Sequence, residues 1–550
     1  MSQSLLASRR FAPLFFRQLF AAFNDNFVKN ALVLLILSRL GDAQGAALIS
    51  LAGAVLIAPF FLFSALGGEL ADKYDKAWLT RWLSVADCGV AFVAAGGFFF
   101  ASVSTLFVAL FLFGVTGALF GPAKYGILPD HLTREELPSG NALVESATFL
   151  AILTGAIAGG VVMQQHGVEI FVGGVIVVAL MSAVSSWLIP ATTPAAPDLV
   201  VNRNILGSTF SLLALLRADR TLWRLAVVTS LFWLFGSVAM SLMPPLVTQR
   251  LNGGDSVVTA HLAIFAIAIA LGSGLAAFLL KGRIVLLPAA AGAALVAAAS
   301  GALALTLFHM SPSAGGEHLS LADYFAQPVA VHIAFDLGLL AVAGGLMIVP
   351  AFAALQSLSP PAERARLIAA VNIHNAAFMA LGGVAVAALQ GAGLSLTMLL
   401  AGMSALALAS AIWILKRVVA NPFLDALSIF FRAFYRLETK GLENFDRAGP
   451  NPIIALNHVS FLDAGAILSV LPRQPVFAVD LAISQKWWVR PFLHFVRAIP
   501  LDPTKPLGTR TLVNAVKDGD PLVIFPEGRL TVTGSLMKVY DGAGLIADKS

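Results

Sequence analysis

Apolar stretches about twenty residues long recur along the chain, near 14–40, 46–66, 79–102, 104–121, 142–164, 168–189, 222–247, 257–280, 284–308, 329–355, 367–390 and 392–415. A bilayer core of about 30 Å takes about 20 apolar residues to cross as a helix, so the recurrence predicts a polytopic α-helical membrane protein with twelve spans. Composition agrees: 58% of the 550 residues are hydrophobic and 12% charged, which rejects a wholly soluble chain. Cys88 is the single cysteine, so no internal disulfide forms, and the sequence offers no Cys/His cluster for a metal. A net charge of +5 on this length gives no case for nucleic acid.

The long polar segment 190–221 splits the spans six and six. Charge is uneven: 39 of the first 417 residues are charged against 26 of the last 133, so two bodies join near residue 418. The expected divisions are a first six-helix half (1–190), a cytoplasmic middle loop (191–221), a second six-helix half (222–417), an amphipathic linker (418–436) and a polar domain (437–550). Arg9, Arg10 and Arg17 precede the first apolar run as in a signal peptide. That run, however, carries Asn24, Asp25, Asn26, Lys29 and Asn30 and lacks a small-residue cleavage site, so a retained first helix is expected. The N-terminus, the even-numbered loops and the exit of the last helix hold eighteen Lys and Arg, with Arg17, Lys76 and Lys124 among them, against Arg39 and Arg250 in the opposite loops. This bias predicts both termini, the middle loop and the tail on the cytoplasmic side.

Between helices 2 and 3 stands Gly68-Glu69-Leu70-Ala71-Asp72-Lys73-Tyr74-Asp75-Lys76. With the six-plus-six layout it resembles the major facilitator superfamily, whose corresponding loop reads G-x-L-A-D-R-x-G-R-K; Asp75 stands where the second glycine is expected. As a cytoplasmic gate, Gly68 would let two helices approach, Asp72 would pair with a facing helix end or arginine and so stabilise one access state, and Lys73 and Lys76 would hold the loop at the surface. An ordinary basic turn is the plainer reading. Polar groups inside membrane helices are costly and mark candidate sites. Asn24, Asp25, Asn26 and Lys29 crowd helix 1, where Asp25 and Lys29 share a face and could neutralise each other. His332 and Asp336 share a face of helix 10, and Asn372, His374 and Asn375 lie on helix 11. Helices 1 and 10, one from each half, would line a midplane cavity. Asp87 and Glu145, nearer helix ends, read as structural.

The stretches Arg17-Gln18-Leu19-Phe20-Ala21-Ala22-Phe23-Asn24-Asp25-Asn26 and Phe120-Gly121-Pro122-Ala123-Lys124-Tyr125-Gly126-Ile127-Leu128-Pro129 resemble the bacterial lysophospholipid transporter branch of that superfamily. The resemblance covers roughly residues 1–417. It implies inward flipping of lysophosphatidylethanolamine and related lipids across the bacterial inner membrane, with the polar face of helix 1 meeting the headgroup.

In the tail, the apolar Ile453–Leu456 reads as a buried strand running into Asn457-His458-Val459-Ser460-Phe461-Leu462-Asp463. Ser460 suits an N-cap and Asp463 the third helical position, from which a carboxylate could reach His458 and orient it as a general base. A second strand, Pro521–Phe525, ends in Pro526-Glu527-Gly528-Arg529. Together these blocks resemble the glycerolipid acyltransferase family, with its N-H-x4-D and F-P-E-G motifs. The stretch from Phe477 to Ser550 looks most like the acyltransferase half of 2-acylglycerophosphoethanolamine acyltransferase/acyl-carrier-protein synthetase. The resemblance implies a partial cytoplasmic α/β acyltransferase domain with His458 and Asp463 catalytic and Glu527, Gly528 and Arg529 binding substrate. Its acyl donor would be acyl carrier protein or coenzyme A thioester, with no bound cofactor. Neither a G-x-S-x-G elbow nor a Gly-Lys phosphate loop is present.

Two departures stand out. Leu501-Asp502-Pro503 occupies the place where the family has Asp-Arg, which fits an acceptor whose phosphate is already a diester. The chain stops at Ser550 before a fourth family block, so the domain is expected to be C-terminally incomplete. Residues 421–436, with Phe423, Leu424, Leu427, Phe430, Phe431 and Phe434 against Arg432 and Arg436, read as an interfacial helix holding the domain at the inner leaflet. The sequence thus points to fused lysolipid import and re-acylation. A transporter of drugs or sugars with an inactive tail, or an acyltransferase merely anchored by the helices, stays open.

Overall fold

Long apolar runs fold as helices, and among the described residues the computed structural model has 12 helical segments long and apolar enough to cross a membrane. It describes residues 4–165, 167–281, 283–310, 318–435, 437, 439–471, 473–501, 507–531 and 537–550, with backbone alone for 37–47, 49–50, 164–165, 443, 446 and 507. The chain forms two compact units, Met1–Val419 and Ala420–Ser550.

The first unit begins with α1 (Ala12–Lys73), followed by α2 (Lys76–Phe99), α3 (Val103–Gly126), the one-turn α4 (Leu128–His131), α5 (Leu137–Gln165) and α6 (Gly167–Trp187). Helix α1 contains two spans, Ala12–Ile36 and Leu51–Lys73, joined by helical backbone where a loop was expected. Residues 37–50 contain no proline to interrupt that backbone. The second half comprises α7 (Ile205–Ala218), α8 (Arg220–Pro245), α9 (Asp255–Leu279), α10 (Leu287–His309), the short α11 (Leu321–Phe325), α12 (Pro328–Leu358), α13 (Arg364–Gly391) and α14 (Leu396–Arg417).

The expected middle loop 191–221 is not a free polar linker. It contains α7, capped by the Asn204 side chain, which accepts from the Gly207 amide at 2.9 Å. It is also strapped to the end of α1 and the turn that follows. Glu69 accepts from the Asn202 amide at 2.8 Å and from the Ser208 hydroxyl, while Asp75 accepts from the Thr192 amide and hydroxyl at 2.9 and 2.7 Å. Acidic residues of the motif loop therefore tie down a segment whose own composition suggested only solvent. Before α1, Arg10 donates to both carboxylate oxygens of Glu136 at 2.7 and 2.5 Å. Those bonds hold the Glu136 carboxyl below its ordinary range, so the clasp persists at neutral pH and is lost only as pH falls through that lowered value.

The second unit has α15 (Pro422–Phe434), α16 (Glu443–Arg447), β1 (Ile453–Ala455), α17 (Asp463–Val470), β2 (Val476–Asp480), α18 (Leu481–Ser484), α19 (Arg490–Leu493), β3 (Ala498–Leu501), α20 (Leu507–Lys517), β4 (Leu522–Ile524) and α21 (Gly542–Lys549). Its strands form one parallel sheet ordered β1-β4-β2-β3. Alternation along the strands sorts the core: Val476, Leu522 and Ile524 pack against Leu512, Val516 and Ile546, whereas Phe477 and Val523 pack with Leu424, Leu468 and Leu471. Leu424 belongs to α15. The helix expected as a separate interfacial linker in 418–436 is thus an outer layer of the α/β domain, because Leu424 joins the apolar cluster there and Phe431 is buried against Gly465 of α17. Arg436 lies outside the described residues.

Candidate functional sites

In the first unit a cavity of about 490 Å³ is lined by both halves. Asp25, Asn26 and Lys29 of α1 reach it, and Asp25 and Lys29 form no ion pair with each other. They are joined by three charged groups that sequence reasoning placed elsewhere. Arg17 and Lys124 were counted as loop charges and Asp87 as a structural residue near a helix end, yet all three line the cavity. Arg17 is 1% exposed; it donates to Asp87 at 2.9 Å and to Ser84 at 3.1 Å, and its guanidinium lies 3.4 Å from the Phe120 ring centroid. A buried arginine is tolerated when paired and stacked in this way. Arg17 and Lys124 lay within or beside their apolar runs, the signal that could have moved them out of the loop count.

Three expected transport residues lie elsewhere. Asn24 is buried at 3% exposure on another face of α1, because a one-position step turns a helical side chain by about 100° away from Asp25. His332 and Asp336 pair with each other at 3.4 Å, and the His332 side chain is 55% exposed. Leu340, Ala341, Gly344 and Met347 of α12 line the cavity instead, and the His332–Asp336 pair lies one and two turns before them. Of the helix 11 cluster, now in α13, Asn372 and Asn375 line the cavity. His374 meets Ser230 at 2.7 Å and packs against Trp223 and Phe378.

At the loop ends the two halves are bolted together. Asp72 accepts from the Ala365 and Arg366 amides at 2.9 and 3.1 Å and from Arg366 Nε at 3.1 Å, so the motif carboxylate caps the start of α13. Gly68 permits the approach: a Cβ there would fall 2.6 Å from Ala369 Cβ and 2.9 Å from Arg366 Cα. Lys76 and Arg364 both reach Asp130, at 2.9 and 3.4 Å, and Asn141 donates to Gln356 at 2.6 Å. Lys73 joins no ion pair among the described residues and lies 5.7 Å above the Tyr74 ring. Replacing Asp72 by asparagine keeps one acceptor but removes the charge facing Arg366, so transport should slow several-fold with little change in substrate affinity. Transport rate and binding isotherm measured on the same preparation check this, and an unaltered rate would remove Asp72 from the gate.

In the second unit β1 and β4 are parallel, with Ala455 opposite Ile524, so the residues following both strands emerge at one edge of the sheet. His458 Nδ1 faces Asp463 Oδ2 at 3.1 Å. The same oxygen accepts from the Val459 and Ser460 amides at 2.8 Å each, fixing the carboxylate while it orients the ring. Helix α17 starts at Asp463 itself, not two residues earlier, and Ser460 accepts from the Leu462 amide at 3.2 Å in a turn. The carboxylate closes the loop before the helix, which displaces Ser460 as the expected cap. The His458 ring stacks on Phe525 at 4.0 Å, and Thr531 donates its amide to the His458 carbonyl at 2.7 Å.

Glu527 is 1% exposed: Oε2 accepts from the Met537 amide at 3.3 Å, and Oε1 is buried without a hydrogen-bond partner among the described residues. Gly528 adopts φ +66° with its Cβ position 3.3 Å from the Tyr540 ring, and Arg529 is exposed. Gly528→Ala places a side chain in the left-handed region, at a cost of about 1–2 kcal/mol, and should lower acyl transfer by distorting the Glu527 turn; product formation per folded protein checks it. Of Leu501-Asp502-Pro503, Leu501 ends β3, and Asp502 and Pro503 lie outside the described residues. No group of His, Cys, Asp and Glu suited to a metal occurs among the described residues.

Comparison with known proteins places both units. Residues 14–315 match the Major Facilitator Superfamily model and residues 436–550 the Acyltransferase model. The chain is 29% identical over 268 residues to the lysophospholipid transporter LplT of Enterobacter sp. (strain 638), covering 47% of this chain and 64% of that protein. It is 30% identical over 284 residues to LplT of Yersinia pestis (strain Pestoides F), covering 50% and 68%. The chain therefore spans about two thirds of the length of these relatives. Among solved structures it resembles the human organic anion transporter MFSD10, with a TM-score of 0.57 at 16% identity over 76% of this chain and 98% of that one. The proton:xylose symporter XylE gives 0.55 at 11% identity over 74% and 96%. At these identities the structural likeness concerns the fold.

Proposed function

Because the chain belongs to the major facilitator superfamily and carries an acyltransferase domain behind its twelve spans, we propose that it moves lysophospholipid inward across the inner membrane and re-acylates it. The observation that carries this reading is the sorting of the cavity wall. Arg17, Asp25, Lys29, Asp87 and Lys124 all come from the first six spans, whereas Phe232, Trp233, Phe235, Phe265, Ile269 and Leu340 come from the second six. The second-half wall adds Ser237, Asn372 and Asn375 but no charge, and a cavity charged on one side and uncharged, mainly apolar, on the other suits a single-chain amphiphile, since the headgroup needs charged partners and the acyl chain none. With Arg17 engaged by Asp87, two ammonium groups and one carboxylate remain. Lys29 and Lys124 suit a phosphodiester and Asp25 a headgroup ammonium, the pattern of lysophosphatidylethanolamine.

In the second unit His458 Nε2 takes the proton of the glycerol hydroxyl as its oxygen bonds to the thioester carbonyl carbon. The tetrahedral intermediate then collapses, breaking the C–S bond, and the imidazolium returns the proton to the departing thiolate. Asp463 stabilises that imidazolium. Glu527, Gly528 and Arg529 hold the glycerophosphate side, and acyl carrier protein or coenzyme A delivers the acyl group. Both termini lie in the cytoplasm, supported by the excess of Lys and Arg in loops on that side. The test is a proteoliposome containing the full chain, labelled lysolipid outside and an acyl thioester inside. Labelled diacyl lipid should accumulate. Acylation of inner-leaflet lysolipid without uptake would leave an acyltransferase anchored by its helices.

A further inference from the structure

In the second unit a set of aromatic side chains is left exposed. Phe423, Phe430 and Phe434 fall on one stripe of α15, and Phe430 and Phe434 are 45% and 74% exposed. The rings of Phe492 and Phe495 lie 6.2 and 4.8 Å from that of Phe423, which joins the stripe to the connection between β2 and β3. In that connection Trp487 is 85% exposed, and its neighbour Trp488 meets Phe461 edge-on at 5.1 Å, three residues after His458. From Leu481 to Arg497 there is no Asp or Glu; Arg497 is held by Asp520, while Lys486 and Arg490 have no acidic partner among the described residues.

We propose that this aromatic face is where the acyltransferase unit lies on the surface of an anionic bilayer, with Trp487, Phe492 and Phe434 entering the headgroup region. Tryptophan settles at the boundary between headgroups and acyl chains, and flanking Lys and Arg are drawn to anionic lipid. The acceptor's purpose fits as well: a lysolipid leaves the bilayer at a cost that grows with each methylene, so its hydroxyl is best met at the interface. An acidic protein would be drawn to Lys486 and Arg490 but gives no reason for bare tryptophan and phenylalanine. The inference rests on the acyltransferase reading for its purpose and not for its geometry.

The test uses the full chain with Cys88→Ser and Trp487→Cys, labelled with nitrobenzoxadiazole, in vesicles of phosphatidylethanolamine and phosphatidylglycerol. Emission should shift to the blue and be quenched by nitroxide placed at headgroup depth, while the same label at the exposed Asp518 should stay water-like. Water-like, unquenched emission at 487 overturns the proposal, and a change seen only on adding acyl carrier protein assigns the face to that partner. This readout needs no activity, so it stands even if acyl transfer is absent. Where transfer is present, Trp487→Ala with Phe492→Ala should lower acylation of long-chain lysolipid in vesicles at least tenfold. Acylation of a short-chain, water-soluble lysolipid should be unchanged, and equal loss on both would count against a lipid surface.

Discussion

Replacing His458 by alanine is expected to abolish acyl transfer to lysolipid while leaving lysolipid uptake intact. A hydroxyl attacking a thioester must lose its proton as the bond forms, and a positioned base typically contributes about 10²- to 10⁴-fold to rate. Among the described residues no other imidazole lies at the edge where β1 and β4 end. Asp463→Asn should cost nearly as much, for two separable reasons. The amide no longer stabilises the imidazolium, and it presents an N–H that can face Nδ1 only in the wrong tautomer. It also weakens the acceptor for the Val459 and Ser460 amides, which loosens the turn carrying His458. Acylation and uptake measured on the same vesicles check both changes, and wild-type acylation by the His458→Ala protein would remove the enzyme reading of the tail.

Neutralising the free charges of the cavity should produce the mirror image, with uptake lost and acylation of lysolipid already on the cytoplasmic side retained. A hydrogen bond to a charged group contributes about 1.5–3 kcal/mol, so Asp25→Asn, Lys29→Met and Lys124→Met should each lower uptake by about 10- to 100-fold. Because Asp25 and Lys29 are not ion-paired, removing one does not strand the other as a broken pair. The amount of folded protein in detergent should therefore hold. Arg17→Met is the contrast. It leaves Asp87 buried without its partner, and breaking a buried pair costs about 3–5 kcal/mol, so this variant should lose thermal stability together with transport. If Asp25→Asn and Arg17→Met lose folded protein equally, the Asp25 carboxylate is a structural group and not a headgroup contact.

Spans, their six-plus-six division, the gate motif and the two acyltransferase blocks were legible in sequence because each rests on local information. Twenty apolar residues are long enough to cross a bilayer whatever surrounds them, and His458 and Asp463 lie five residues apart, so one turn of chain brings them together. The cavity was legible only in part. Composition shows that a charge stands in a helix, but which way the helix faces is set by packing against its neighbours. Arg17 and Asp87, 70 residues apart, meet only because α1 and α2 fold beside the same cavity, and His332 and Asp336 miss it by one and two turns. The same distinction separates the two parts of α15. Its amphipathic spacing follows from local sequence, whereas what its buried side meets is decided by packing: the sheet and α17 for Leu424, and Gly465 of α17 for Phe431. Local periodicity determines that an element forms and which residues share its face; only tertiary packing decides what that face meets, since the partners are distant in sequence and apolar contact is non-directional.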